Sequence, residues 1–351
     1  MGKRKNNISG ISGLSRFLAE AAKSESSAES STKTSSPSQL EVRRSGTVAI
    51  AVAECETETV PDVRPVKKAR LQAGLLGEGL ERYDATGLAP FYTEASQVPE
   101  HLQKYFFQRE RYFSMYESGC LLDEEGWYSV TPERVADQIA ERCRCGVILD
   151  AFCGVGGNAI AFARTCERVI AMDISPVRLA LARHNAALYG VQDRIEFILG
   201  DFLSFARTLQ NGSQRRKIDV VFLSPPWGGP SYIAGSPSKS QAAASTPILP
   251  SSEDAEGVHA EFSLSSVGPI HGRDLFHVAR GISKNIAYFL PRNTNLDEIS
   301  QLVAENSGDG TGSAFPLEKV EVEEEWMGTK LKALTCYFGG LVAGQEAMFE
   351  T

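Results

Sequence analysis

The sequence predicts an α/β fold: a seven-stranded, mostly parallel sheet covered by helices on both faces, with an antiparallel edge strand. Three observations lead there. From about Gly146 onward, short apolar runs alternate with segments of helical period, the rhythm of strands joined by crossover helices. The first run leads straight into Gly154, Gly156 and Gly157, and a glycine-rich turn between strand and helix is how open α/β sheets receive nucleosides. The last two runs are separated by little more than Met327–Lys330, a linkage that suits an antiparallel pair rather than a crossover.

Taken in order, the strands are expected at Val147–Phe152, Arg168–Asp173, Ile195–Leu199, Asp219–Leu223, Asn285–Leu290, Val320–Glu325 and Leu334–Phe338. Helical patterns lie near Asn158–Thr165, Pro176–Tyr189, Leu203–Leu209, Arg273–Ile282 and Leu296–Asn306. Ahead of them, Pro99 to Gly119 reads as one helix, with proline in its first turn, aromatic faces from Tyr105, Phe106, Tyr112 and Phe113, and glycine as its cap. It belongs to a small helical N-terminal extension, residues 76–135, before a main domain at 136–345. Residues 231–266, rich in Ser, Ala and Pro, break the rhythm and read as a disordered insertion. Residues 1–75 read as a disordered, Ser-rich tail with too little to bury. Within it, Leu14, Phe17, Leu18 and Ala21 fall at helical spacing, suited to a partner's groove. Arg64–Arg70 is a basic cluster: either a nuclear import signal or a solvated linker.

Charge narrows the function. The formal net charge is −8, but residues 1–75 carry +4 and the remainder −12. A domain that acidic is a poor non-specific RNA binder, so an RNA substrate would be gripped locally, at one nucleotide or one end. The seven cysteines are odd in number and scattered, with no Cys-x-x-Cys pair, which argues against a zinc site and for a reducing compartment. Cys143 and Cys145 read as buried thiols. No apolar stretch approaches the ~20 residues of a membrane span, and no secretory signal is visible. Neither a metal nor a membrane is expected.

Two loops carry the chemistry. In Asp150-Ala-Phe-Cys-Gly-Val-Gly-Gly-Asn158 the glycines let a ligand press on the backbone, and Asp173, ending the second strand, is placed to take ribose hydroxyls. Asp201 follows the third strand and reads by itself as a helix N-cap, while similarity to methyltransferases with such a glycine loop implies an acceptor for an adenine amine there. The second loop, Ser224-Pro225-Pro226-Trp227-Gly228-Gly229-Pro230, leaves the fourth strand. Its prolines make it rigid and are expected to leave carbonyls free, so that with the Ser224 hydroxyl they can accept hydrogen bonds from an amine and fix where its nitrogen points. Trp227 on such a loop reads as a stacking platform.

Together with Glu125-Gly-Trp-Tyr-Ser-Val-Thr-Pro-Glu133 and Tyr288-Phe-Leu-Pro-Arg-Asn293, these loops resemble the trimethylguanosine synthase family over about residues 99–340. The resemblance implies a Rossmann-like class I methyltransferase that moves methyl groups from S-adenosylmethionine to guanine N2 of a 7-methylguanosine cap on small nuclear and nucleolar RNAs. It implies cofactor-side positions at Asp150, Gly154, Gly156, Asp173, Asn185, Asp201, Ser129 and Thr131. It places Ser224, Pro225, Pro226 and Trp227 at the catalytic loop and Trp227 against the methylated base. Lys104, Arg292 and Asn293 fall on the cap side, and Phe113 in a helix that closes over the site. The insertion and the tail depart from the family pattern. The expected location is the nucleus, with ribonucleoprotein partners engaged through the tail. Two alternatives stand beside this reading: an amino-methyltransferase for another base such as adenine N6, against which Ser224 and Trp227 argue, and a non-catalytic scaffold for capped RNA.

Overall fold

The computed structural model of the chain describes residues 74–211, 217–227, 261–304 and 318–349. The apolar runs become strands β1 (Val147–Asp150), β2 (Arg168–Asp173), β3 (Ile195–Leu199), β4 (Val220–Leu223), β5 (Asn285–Pro291), β6 (Glu321–Met327) and β7 (Lys330–Phe338). They form one sheet in the order β3-β2-β1-β4-β5-β7-β6. The first five run parallel, with Leu149 between Ile170 and Val221, and Val221 beside Ile286. β7 runs antiparallel to both β5 and β6. Chain order reverses between β1 and β4, so their C-terminal ends flank a crevice, and both motif loops leave from it.

The helices are α1 (Glu100–Phe106), α2 (Arg109–Tyr112), α3 (Glu124–Ser129), α4 (Glu133–Arg142), α5 (Gly157–Thr165), α6 (Pro176–Leu188), α7 (Phe202–Asn211), α8 (Gly272–Arg280) and α9 (Leu296–Ala304). Strand residues alternate between two apolar layers. Phe222, Ala287 and Phe289 face the layer that holds Ile139 of α4 and Phe162 of α5. Leu223, Tyr288 and Leu290 face the layer that holds Phe276 of α8 and Leu302 of α9.

Several expectations need correcting. The segment from Pro99 to Gly119 is not one helix: α1 and α2 break at Phe107–Gln108, and a 3-10 turn follows at Tyr116–Ser118. The reason is packing. Leu102, Phe106, Tyr112, Phe113 and Tyr116 all bury, and neighbours such as Tyr112 and Phe113 point in different directions on a helix. Ending α2 at Tyr112, with Phe113 in extended backbone, lets both reach one core. α4 was not anticipated, because its buried face of Val135, Ala136, Ile139 and Ala140 is narrow and small between charged residues. The expected insertion ends earlier than residue 266. Phe262 and Leu264 are buried, and Phe262 exchanges backbone hydrogen bonds with Asn293 (2.7 Å) and Asn295 (2.9 Å). The tail's basic cluster and apolar stripe, and most of the insertion, lie outside the described residues.

The extension shares its core with the sheet, Trp127 and Phe106 joining Phe162 and Val169 in one cluster. Helix α6 clasps it at three points. The Arg178 guanidinium reaches Asp123 (3.1 Å) and Glu125. His184 accepts from the Ala85 amide (3.1 Å), so its other nitrogen donates to the Gly119 carbonyl (2.9 Å). Burial pushes the His184 pKa down, despite the Gly119 carbonyl and Asp84, and the ring works as a neutral strut. Asn185, fully buried, accepts from the Leu121 amide (2.8 Å) and donates to the carbonyls of Leu121 (3.0 Å) and Val155 (2.9 Å). Asn185→Ala strands three buried backbone groups and is expected to cost about 3 kcal/mol. Urea unfolding measures it, and a loss under ~1 kcal/mol would show that the clasp does not hold the extension.

Candidate active site

The cofactor-side loop is held from both sides. From the sheet, the Cys153 amide donates to Met172 (2.7 Å) and the Gly154 amide to Asp173 Oδ2 (3.0 Å). From α6, Asn185 holds the Val155 carbonyl. Gly154 and Gly156 adopt φ of 52° and 92°, a region that strains any other L-residue. A Cβ at Gly156 would also lie 3.1 Å from Ala182 Cα, so this loop packs backbone to backbone on α6. The loop then enters α5, whose first amides point out of the helix end.

Asp173, 8% exposed, binds the Gly154 amide with one oxygen and the Ser175 amide (2.7 Å) with the other. Each oxygen keeps a lone pair for a ligand hydroxyl. Asp150 at the end of β1 is fully buried, and neither of its oxygens has a well-formed hydrogen bond. Burial pushes its pKa up to about 7, the Phe152 amide moderating the rise and the Asp173 charge adding to it. An orphaned carboxylate beside a glycine loop is what a cationic ligand would complete. Val130 and Thr131 press on the start of α5, at 3.0 and 3.6 Å from where a Gly157 Cβ would stand. Thr131 is buried and Ser129, ending α3, is exposed. Asp201 caps α7, accepting from the Ser204 amide and hydroxyl (both 2.9 Å). Burial raises its pKa more than any single bond lowers it, but the Ser204 hydroxyl and amide, the Leu203 amide and the Arg207 charge together hold it below the ordinary value.

Across the crevice, Ser224 to Trp227 continue from β4. The Ser224 hydroxyl has no partner among the described residues. The expectation of free carbonyls needs one correction: the Pro226 carbonyl accepts from the Gly268 amide (3.4 Å). Trp227 is half-buried, and its ring lies 5.1 Å from that of Phe289 at 35°. Phe289 lies on β5, within the Tyr288–Asn293 motif, yet reads in sequence as an ordinary apolar strand residue. Beyond β5 stand Arg292, exposed, and Asn293, which borders a cleft of about 370 Å³ with Glu261 and Asp297.

Three expected residues sit elsewhere. The Asn185 amide is fully committed to the clasp, so it positions the loop rather than touching a ligand. Phe113 is not on a helix. It follows α2 in extended backbone, is 2% exposed and packs 6.1 Å from Tyr189, a core residue without a face for substrate. Lys104 is exposed on α1 with its ammonium 4.9 Å from the Tyr105 ring, and makes no contact with the loops described above.

The model of a protein family described as RNA cap guanine-N2 methyltransferase matches residues 145–237 and 258–341, which include both loops. The chain belongs to this family. The enzyme is 38% identical to trimethylguanosine synthase of Schizosaccharomyces pombe, over 58% of this chain and 76% of that protein. It is 30% identical to trimethylguanosine synthase of Saccharomyces cerevisiae, over 68% of this chain and 67% of that protein. It is an S-adenosylmethionine-dependent methyltransferase that acts on N2 of an RNA cap guanine, which sets aside the adenine and scaffold alternatives. The residues present fit the cofactor: a glycine loop open to close approach, acceptors on Asp173 for ribose hydroxyls, and the uncompensated Asp150 for positive charge. When bound, the cofactor supplies an electrophilic methyl group on a sulfonium.

Asp150 makes stability depend on pH. Between its ordinary value of 3.8 and about 7 the folded enzyme holds a proton that the unfolded chain has lost, so stability falls as pH rises through that window. Glu325, raised to about 7 mainly by burial, has the same sign but cancels in a comparison. Asp150→Asn is therefore expected to gain on the native enzyme from pH 4 to 7, by as much as about 4 kcal/mol, and then level off. Parallel melting curves across pH 4–8 measure this, and a constant offset would mean that Asp150 is not the buried acid.

Proposed function

We propose that the enzyme methylates caps already methylated at N7, forming 2,2,7-trimethylguanosine on small nuclear and nucleolar RNAs. The observation that carries this reading is Trp227. Its indole is fixed on a proline-stiffened loop and backed by Phe289, so one aromatic plane is set before any base arrives. A neutral guanine stacks there by dispersion alone, whereas 7-methylguanine adds a delocalised cation over the ring's negative face. Arg292, exposed, then pairs with the cap phosphates through its guanidinium in a forked manner, and Asn293 lies beside it on the same segment.

On the cofactor side Asp173 takes the ribose hydroxyls, Asp201 the adenine amine, and Ser129 and Thr131 line the loop with Asp150. The Ser224 hydroxyl and the carbonyls of Ser224 and Pro225 accept from the guanine amine and aim its nitrogen lone pair at the methyl group. That nitrogen is neutral and the sulfonium a good leaving group, so no general base is assigned, and the proton leaves afterwards to water. Nuclear residence is part of the same proposal, supported by the Arg64–Arg70 cluster, and the tail is the segment through which ribonucleoprotein partners would be met.

Turnover on 7-methyl-GTP is expected to exceed that on GTP by about tenfold or more, the worth of ~1.4 kcal/mol of cation–π attraction. Trp227→Ala should nearly abolish turnover with cofactor affinity intact, and Trp227→Phe should keep part of it. Equal rates on the two nucleotides, or full activity in Trp227→Ala, would refute the stacking role. On the cofactor side, Asp173→Ala is expected to weaken S-adenosylmethionine binding by roughly 1.5–3 kcal/mol in calorimetry. Unchanged affinity would remove Asp173 from the ribose.

A further inference from the structure

β7 runs against the parallel strands, so its first residues reach the edge of the sheet where β5 ends. Pro291 pairs with Ala333, which makes the next residues outward, Arg292 and Lys332, neighbours. Lys330 follows two residues earlier on β7, across a bulge at which β6 pairs Glu325 with Ala333 and Trp326 with Leu331, and lies near enough to act on the Lys332 ammonium. Arg111, exposed on α2, adds a fourth positive charge near enough to act on the Lys332 ammonium. Partial burial of Lys332, with repulsion from Lys330, Arg292 and Arg111, pulls its pKa below the ordinary value.

None of the four forms an ion pair among the described residues. Elsewhere in the domain cations are commonly paired: Arg142 with Glu321, Arg164 with Asp137, Arg280 with Glu318. Outside the tail the chain carries a net charge of −12, so four converging cations without a carboxylate are the exception. Like charges held together lower stability, and an external polyanion is what offsets that repulsion.

We propose that Arg111, Lys330 and Lys332 continue from Arg292 as a track for the phosphodiesters of the RNA leader just downstream of the cap. The inference rests on the cap reading above, because a chain leaving a cap whose phosphates lie on Arg292 meets Lys332 next. An RNA leader is favoured over an acidic protein segment because the patch is continuous with the cap side. The contacts are to backbone phosphate, so the track is indifferent to sequence. It also accounts for how an acidic domain holds RNA without a general basic surface.

The test compares the full-length enzyme with Lys330→Gln/Lys332→Gln on two substrates, 7-methyl-GTP and a 7-methylguanosine-capped decanucleotide, with Arg111→Gln as a second variant from a separate element. Both variants should lose about tenfold in affinity for the capped decanucleotide, equally for two unrelated sequences. Removing two phosphate contacts should also flatten the log affinity against log salt by about 1.4. Turnover on 7-methyl-GTP should stay unchanged. Equal losses on both substrates, or a salt slope like that of the native enzyme, would overturn the track, and undiminished RNA affinity would leave the patch to an acidic protein segment. Failure of the native enzyme to use 7-methyl-GTP would instead defeat the cap reading, so the two failures are distinguishable.

Discussion

The site depends on one constraint, the backbone of Gly154-Val155-Gly156 held from both sides. Asp173 and Met172 hold it to the sheet, and Asn185 holds it to α6. Neither anchor suffices alone. Without the sheet side, the left-handed glycines would have many other conformations open to them. Without α6, the Val155 carbonyl would face an apolar core unpaired. The loop is therefore rigid before a ligand arrives, and preorganisation reduces the ordering cost of binding.

The same helix ties the extension to the core. Arg178, His184 and Asn185 meet Asp123, Gly119 and Leu121, and Asn185 alone touches both the extension and the loop. The position of α3 and the Ser129–Thr131 segment is thereby coupled to the loop conformation, through this buried amide and through the direct packing of Gly126 on Val155 and of Val130 on Gly157. An asparagine suits this place because it donates and accepts at once from a short, stiff side chain. The extension is thus a structural part of the site, sharing its core and its hydrogen bonds.

Electrostatics divide the crevice. On the β1–β2 side sit carboxylates: Asp150, unpaired and raised toward neutrality, and Asp173, turned outward on two amide anchors. On the β5–β7 side sit Arg292, Lys330 and Lys332. A cationic group is favoured at one end and, on the reading proposed above, the cap phosphates at Arg292 and the RNA backbone beyond it at the lysines, with Trp227 on the loop from β4. Strand order produces this separation, because the antiparallel entry of β7 brings the beginning of its sequence, where its lysines are, to the ligand edge.

What the sequence determined by itself was local and periodic. Apolar runs of strand length, a glycine turn after the first of them, a carboxylate ending the second and a Pro-Pro-Trp loop after the fourth are each legible within a few neighbouring residues. They sufficed for the sheet and for a nucleoside loop facing a rigid aromatic loop, while the cofactor and the acceptor came from the resemblance those loops bear to a known family. What tertiary structure decided was every role that needs two distant segments. Pro99 to Gly119 had helical spacing but broke, because burying both Tyr112 and Phe113 outweighed continuity of the helix. Phe113 looked like a lid and became core. Asn185 looked like a ligand contact and became a strut, because its partners at 121 and 155 lie far from it in sequence. Phe289 supports Trp227, and Lys332 meets Arg292, through strand register alone. A side chain's chemistry is written in its own position, but whether it faces a ligand, a backbone carbonyl or another ring depends on which segment packs against it.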